Sequence, residues 1–386
     1  MVANMDTIGV TIRRLRRWRG LTLEQAAGLA GLSKGYLSKI ENGKAAVERR
    51  STLVAIADTL RVSLADITGD GLEIRDPDAD STVPAIRAAL LDSDLNDNPP
   101  QGELSSLVAE TQLVAAMRQA NQMAEVGHRL PPLITALHTH ARQAEALRAL
   151  VSVAHTTSLL VKGLGALDLA WIAADRGHEA AERLGDPHWI SLAAFARAQA
   201  CSGLGAHRRA GVLAANALEI VPEESVDVRG ALTLTTGFIN SVIGGDPSAA
   251  LDEAEGLAEH VEDGNRHHLL FTPANVVLWR MSAALESGNY AAAATLAESI
   301  HPSDLEINSR RTTYFIDYAR ALWGLRRPDE DVIGLIAQAE TLGPVRTRSN
   351  TFVREIVSTM VERARRQAVA REARGLATRM GLLKVG

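Results

Sequence analysis

Apolar positions recur with the period of a helix over almost the whole chain, and the spacing sets out the elements in order. Over residues 6–19, Ile8, Ile12 and Leu15 repeat at helical intervals with Arg13, Arg14, Arg16, Arg17 and Arg19 between them, which predicts a first helix with a basic exterior. Residues 21–43, LTLEQAAGLAGLSKGYLSKIENG, predict two short helices joined by a tight turn. Thr22 stands as N-cap of the first, with Gln25 three residues on in capping-box spacing. Ala26, Ala27 and Leu29 supply its apolar face, and Gly31 permits the turn. Ser33 caps the second helix, whose Leu37 and Ile40 point back at the first. Lys34, Gly35, Tyr36, Ser38 and Lys39 are left facing outward. A fourth helix is expected over 50–60, with Leu53, Ile56, Ala57 and Leu60 inward, and a short fifth over 63–67.

Beyond Gly69-Asp70-Gly71, the segment IRDPDADS predicts a polar linker, and residues 92–102, DSDLNDNPPQG, an exposed loop. From Thr82 onward no strand pattern occurs. A long amphipathic helix is expected over 103–123, then helices near 131–146, 146–162 and 166–184. The second half repeats itself. Residues 205–222, 245–257 and 288–302 each begin with Gly and carry small Ala positions along a helix, and 327–344 is a more distant echo. Gly185, Gly245 and Gly288 are expected to end helices in a left-handed conformation. Asp186, Asp246 and Asn289 would cap the next ones, and Pro187 and Pro247 would sit at N1. A hairpin of that kind cannot bury its apolar face alone, so the copies are expected to stack.

Composition changes the picture in two ways. The chain has 386 residues and a net charge of −5, too long for one ordinary domain, and the charge is unevenly spread. Residues 1–70 hold eleven Lys and Arg against seven Asp and Glu, while the remainder holds 30 against 39. A basic head on an acidic body fits a module that docks a polyanion while the body is repelled from it. The single Cys201 excludes a disulfide framework and a Cys-based zinc site. No apolar run is long enough to span a bilayer and no apolar signal core opens the chain, so a cytoplasmic protein without membrane contact is expected.

The stretch 21–43 resembles the helix-turn-helix of phage repressor and Cro proteins, the XRE family, through the continuous pattern L-T-x-x-x-A-A-x-x-A-G-x-S-x-x-Y-L-S-x-I-E-N-G. The resemblance runs from about Thr7 to Gly69, through RRLRRWRGLT before it and LVAIADTLRV after it. It implies that Ser33, Lys34, Gly35 and Lys39 read bases and that Asn42 and Lys44 touch the sugar-phosphate backbone. Thr22, Tyr36, Ser38, Arg13 and Arg17 complete the expected DNA-binding set. Tyr36 is open to a second reading, packing against Arg14 or Arg17. Arg16 and Glu41 match a pair that bridges the first and third helices, a structural ion pair rather than DNA ligands. Two positions depart from the family pattern. Leu23 stands where a phosphate-holding Gln is frequent, and Val47-Glu48 where a Pro often follows the E-N-G turn.

The later repeats resemble tetratricopeptide repeats. Head and body together look like RRNPP regulators, which bind signalling peptides inside the solenoid. They look still more like XRE–TPR regulators of high-GC genomes, whose L-L-F-x-P-x-N-V-x-L and S-R-R-x-x-Y-F-x-D-x-A-R-A blocks match residues 269–278 and 309–321. The expected fold is therefore all-α: a five-helix helix-turn-helix domain (1–70), a linker with a short helix (71–102) and a TPR-like α-solenoid for effector binding and dimerisation (103–386). Trp171, Arg197, Asn240, Phe271, Asn275, Trp279 and Tyr314 are candidates for an effector pocket, with Trp189 and Arg280 beside them. Their alternative is ordinary core packing. There is no P-loop, no G-x-S-x-G and no H-E-x-x-H. His178 lacks a second His at the right spacing, and His267-His268 reads as a surface pair. No enzyme, cofactor or metal is expected. The partners expected are a palindromic double-stranded operator, a second copy of the chain, and a small-molecule or peptide effector. The alternative is an adaptor whose repeats grip another protein while the head localises it to DNA.

Overall fold

A computed structural model of the chain describes residues 8–68, 77–92, 99–363 and 369–382. Among them every regular element is helical. Two compact units are present, one of residues 1–75, 284–299 and 311–386, the other of residues 76–283 and 300–310. The unit that holds the basic head thus also takes in the C-terminal helices, a division unlike the expected 1–70, 71–102 and 103–386. Asp6, Thr7, Gly69-Asp70-Gly71, residues 74–76 and residues 93–98 lie outside the described residues.

The head is five helices: α1 (Ile8–Trp18), α2 (Leu23–Leu29), α3 (Lys34–Glu41), α4 (Arg50–Leu60) and α5 (Leu64–Thr68). Its core gathers Ile8, Ile12, Ala26, Ala27, Leu37, Ile40, Leu53, Ile56, Leu60 and Ile67. α1 and α3 approach so closely that a Cβ at Gly9 would overlap the Ile40 carbonyl oxygen. Gly31 turns the chain between α2 and α3 at φ +67°, a conformation that favours Gly. Leu29 departs from the expected inward face and is 68% exposed, because the helical period puts Ala30 beside Ala26 and Ala27 instead. Arg19, expected on the basic exterior, donates to the Leu60 and Arg61 carbonyls at 2.7 and 2.8 Å and closes the end of α4.

The rest of this unit is α17 (Tyr290–Glu298), α18 (Asn308–Gly324, from Arg311), α19 (Asp329–Leu342), α20 (Pro344–Ser349), α21 (Thr351–Arg363) and α22 (Val369–Arg379), with the end of α16 (Pro273–Glu286). Phe352 of α21 belongs to the head's own core. Its ring lies under two guanidinium groups, Arg320 at 3.9 Å and Arg50 at 5.6 Å. Glu286 is the centre of the contact. Its carboxylate accepts from the Arg50 backbone N–H and side chain, both at 2.8 Å, and from Arg320 at 3.1 Å. Around it, the Tyr290 hydroxyl donates to Glu48 at 2.7 Å, Arg320 donates to the Glu48 carbonyl at 3.1 Å, and the Ile8 N–H donates to Glu355 at 3.3 Å.

The other unit runs from α6 (Pro77–Ser81) and α7 (Val83–Leu91) through α8 (Leu104–Gln119), α9 (Met123–Thr139), α10 (Ala144–Gly163), α11 (Leu167–Leu184), α12 (Pro187–Gly203), α13 (His207–Ile220), α14 (Val226–Ile243) and α15 (Ser248–Ala258) to most of α16. From α8 onward consecutive helices pack on each other, and α8, α10, α12 and α14 also pack in series, the pattern of stacked hairpins. Pro77–Ser81 is helical where the sequence predicts a polar linker; Asp78 and Asp80 stand in its first turn, where acids favour a helix start. α9 begins at Met123 rather than near 131 and carries Pro131 and Pro132 inside it. Gly127, one turn before Pro131, is where the missing hydrogen bond and ring crowding fall, and it lies hard against Thr82. Gly185 and Gly288 take positive φ as expected, but Gly244, not Gly245, ends α14 in that way. Asp186 and Asn289 accept from the next helix, and Pro187 sits at N1.

Glu286 predicts the acid stability of the head. Burial pushes its carboxyl up, but Arg50 and Arg320 outweigh that and hold it below the ordinary value. Its stabilisation is therefore complete above the ordinary value, 4.5, begins to fall there, and is gone once pH has dropped through the depressed value of the folded state. Glu286→Ala leaves Arg320 buried without this partner and should cost about 3–5 kcal/mol. Hydrogen exchange of α4 amides should rise with it; unchanged exchange would show that the head stands without Glu286.

Candidate nucleic-acid interface

The two short helices are held at their starts. The Thr22 hydroxyl accepts from the Gln25 N–H at 3.1 Å and the Gln25 side chain accepts from the Thr22 N–H at 2.9 Å, closing the capping box. The Ser33 hydroxyl accepts from the Tyr36 N–H at 3.1 Å, so α3 begins at a fixed residue with Lys34 first. Arg16 and Glu41 form a bidentate, buried pair at 2.5 and 2.7 Å, and Arg16 also donates to the Leu21 carbonyl at 2.8 Å. That pair ties α1 to α3 and to the entry of α2, and it fixes the angle of α3 from behind.

The outer face of α3 is what remains. Ser33, Lys34, Gly35 and Lys39 are exposed, as are Thr22, Arg13, Arg17, Asn42 and Lys44. A Cβ at Gly35 would meet nothing within 4 Å, so the fold itself does not demand Gly there. Lys34 Nζ stands 3.2 Å from the Glu24 carboxylate of α2. Asn42 turns its amide back, donating to the Ser38 carbonyl at 2.7 Å as the cap of α3. Tyr36 is not outward. It is half-buried against the head's core, and burial and then Glu48 raise its phenol above the ordinary value. Ser38 is half-buried as well. No local pattern marks Glu48, Glu286 or Phe352 as members of this unit, because their partners lie far along the chain.

The candidates in the repeats stand in separate surroundings. Phe271 is core: it is 1% exposed, and its ring fills the space beside Gly230, where a Cβ would overlap it. Tyr314 is core in the other compact unit, donating to the Ala297 carbonyl at 3.1 Å. Asn240 serves a turn, donating to the Asp246 carbonyl at 3.4 Å. Arg197 stacks over Trp171 at 5.0 Å and pairs with Asp175 at 3.2 Å. Arg280 is held by Asp252 and Glu255 at 2.7 and 2.6 Å, and Trp279 meets Phe238 edge-on at 5.8 Å. Asn275 is buried, and its Oδ1 has no hydrogen-bond partner. His267 and His268 are half-buried rather than a surface pair. His267 Nε2 lies 2.9 Å from His188 Nε2, and His268 lies 2.9 Å from Gln112 Oε1 and 3.3 Å from Gln119 Oε1.

A family profile described as a helix-turn-helix domain matches residues 7–68, ending with α5. Over 58 residues the chain is 38% identical to the HTH-type transcriptional repressor RghR of Bacillus subtilis (strain 168), covering 15% of this chain and 43% of that protein. Over 58 residues it is 41% identical to the uncharacterized HTH-type transcriptional regulator RghRB of the same organism, covering 15% and 42%. The chain thus spans less than half the length of the curated relatives it matches. Among solved structures it is similar to Bacillus thuringiensis PlcR in complex with the peptide PapR7 and DNA, at 11% identity and TM-score 0.34, covering 87% of this chain and 94% of that one. It is also similar to the apo form of the competence regulator ComR from Streptococcus vestibularis, at 10% identity and TM-score 0.36, covering 98% and 99%. At such scores these two likenesses carry no argument about this chain. Residues 7–68 are a helix-turn-helix domain.

Gly35→Ala separates fold from interface. The substitution should keep or slightly raise the melting temperature, since Ala is favoured over Gly inside a helix by roughly 0.5–1 kcal/mol, yet weaken DNA binding in a mobility-shift assay. In the repeats, burial and then Arg118 push His155 down to about 3, and burial pushes His267 down to about 4. Neutral when folded and readily protonated when unfolded, these rings withdraw stability as pH falls below their ordinary value, about 6.5. Thermal unfolding followed from pH 7.5 to 4.5 should show this decline in wild type and a smaller one in His267→Gln.

Proposed function

We propose that this chain is a sequence-specific DNA-binding transcriptional regulator, acting in the cytoplasm as a homodimer, whose helical repeats sense a small-molecule or peptide effector. The observation that carries the first half is the α3 face. Ser33, Lys34, Gly35 and Lys39 are exposed while Leu37 and Ile40 are buried, and the bidentate Arg16–Glu41 pair holds the helix from behind. An exposed short helix that presents ammonium and hydroxyl groups suits the major groove. One such head makes few phosphate contacts. Two, held on half-sites about 34–36 Å apart, reach useful specificity, which is the reason for a dimer and a palindrome.

Support for sensing is the stack of hairpins in the second unit, with buried polar atoms that have no hydrogen-bond partner among the described residues: Oδ1 of Asn275, Oγ1 of Thr233 and Nε2 of His155. Such atoms are rare in native interiors and call for a partner. An effector would shift the spacing of two heads only by its differential affinity for the two arrangements.

Lys34→Ala with Lys39→Ala should abolish footprints across the genome while circular dichroism stays unchanged. On generic duplex DNA the slope of log K against log salt should become shallower by about 1.8, close to 0.9 for each phosphate that the two lysines no longer neutralise. Unchanged footprints would refute α3 as the recognition helix, and a monomer by sedimentation at all concentrations would refute the dimer.

A further inference from the structure

Glu24 and Lys34 stand on different helices, yet their heads meet on the face assigned to DNA. Lys34 Nζ lies 3.2 Å from Glu24 Oε2, and both side chains are largely exposed, at 77% and 60% for the acid and the base. Neither position is accidental. The capping box fixes the first turn of α2, which carries Glu24, and the Ser33 cap makes Lys34 the first residue of α3. A cation there faces the positive end of its own helix, so Lys34 gains from an acid supplied by a neighbour. That acid has a consequence at a polyanion: a carboxylate on the docking face is repelled by phosphate unless something in the groove takes it up.

A G·C pair offers what the two groups need. In the major groove guanine shows two acceptors, N7 and O6, and beside O6 cytosine shows the N4 amino donor. O6 and N4 are hydrogen-bonded to each other, so they stand about 2.9 Å apart, close to the Nζ–Oε2 separation of 3.2 Å in the protein. Laid along that edge, the ammonium bonds O6 and N7 while the carboxylate accepts from N4, and the ion pair stays whole. An A·T pair serves it less well. Thymine O4 and the adenine N6 amino group offer an acceptor beside a donor too, but where guanine N7 would stand thymine carries its C5-methyl, so the ammonium keeps one of its two bonds and meets a methyl in place of the other.

We infer that Glu24 is a specificity-determining residue that, together with Lys34, reads one G·C base pair in each half-site and penalises binding elsewhere. The inference rests on α3 being the base-reading helix. By holding the Lys34 ammonium over one edge, Glu24 weakens binding to most sequences and strengthens it at one base pair, so that Lys34 contributes fully only where guanine N7 stands beside O6.

Selection from a randomised 26-bp duplex library, with the full-length chain as wild type, Glu24→Ala and Lys34→Ala, tests this. Wild type should enrich a motif with one G·C position per half-site, preferred roughly tenfold to a hundredfold over A·T. In Glu24→Ala that position should lose its preference while the other positions keep theirs, and affinity for poly(dA-dT) should rise severalfold. Lys34→Ala should weaken binding to every selected site. A motif whose G·C position survives Glu24→Ala, or a position read as A·T in wild type, overturns the role of Glu24 while leaving α3 as the reader. If wild type enriches no motif, or Lys34→Ala binds as wild type does, the reading of α3 and this inference fall together. Glu24→Gln separates charge from shape. It should raise poly(dA-dT) affinity as Glu24→Ala does, and equal affinities for Glu24→Gln and wild type would remove the electrostatic half of the inference.

Discussion

The buried carboxylate of Glu286 is the constraint on which the head depends. An ion held away from water is tolerable only when donors replace its hydration, and here Arg50 supplies two and Arg320 a third. The arrangement also does a job local sequence leaves undone. Arg49, the N-cap of α4, makes no side-chain cap, and the first N–H of the helix is satisfied by Glu286, 236 residues away. A helix of the helix-turn-helix head is thus capped from a helix far along the chain. Phe352 completes the join by entering the head's apolar core beneath the two guanidinium groups.

That join extends toward α3. Glu48 lies in the segment that follows α3, and it is held twice, by the Tyr290 hydroxyl and, through its carbonyl, by Arg320. Ser33, Lys34, Gly35 and Lys39 keep their exposure nonetheless. The segment between α3 and α4 is therefore a connection within this unit: one end carries α3, the other is clamped to α17 and α18. A change in the spacing of those two helices would reach α3 through Glu48.

Much of this is legible in the sequence because it is local. Thr22 with Gln25, Ser33 with Tyr36, the left-handed Gly31 and the Arg16–Glu41 pair all act within 25 residues, and each leaves a fixed spacing of recognisable residue types. The stacked hairpins are legible for the same reason, through Gly and Pro at their ends and Ala along their faces. Leu29 escapes such reading because a hydrophobic residue in a seven-residue helix says little about phase, whereas the grouping of Ala26, Ala27 and Ala30 decides it. Phe271 and Tyr314 suggest a pocket because aromatic residues suit both walls and cores, and only the Gly230 notch and the Ala297 carbonyl show which. Glu286, Glu48 and Phe352 leave no signal, since a pairing between residues hundreds apart has no period.

Phe352 also bears on the order in which the protein comes into being. The five helices of the head leave the ribosome before the ring that closes one side of their core, which is translated 284 residues after Thr68, the last residue of α5. At about 5–20 residues per second that is a wait of roughly 15–60 s. During it the nascent head lacks its full apolar complement, and until Glu286 is made, 218 residues after Thr68, it lacks the cap on α4 as well. A polypeptide cut short anywhere before that ring would carry Ser33, Lys34, Gly35 and Lys39 and still present them on an unfinished scaffold.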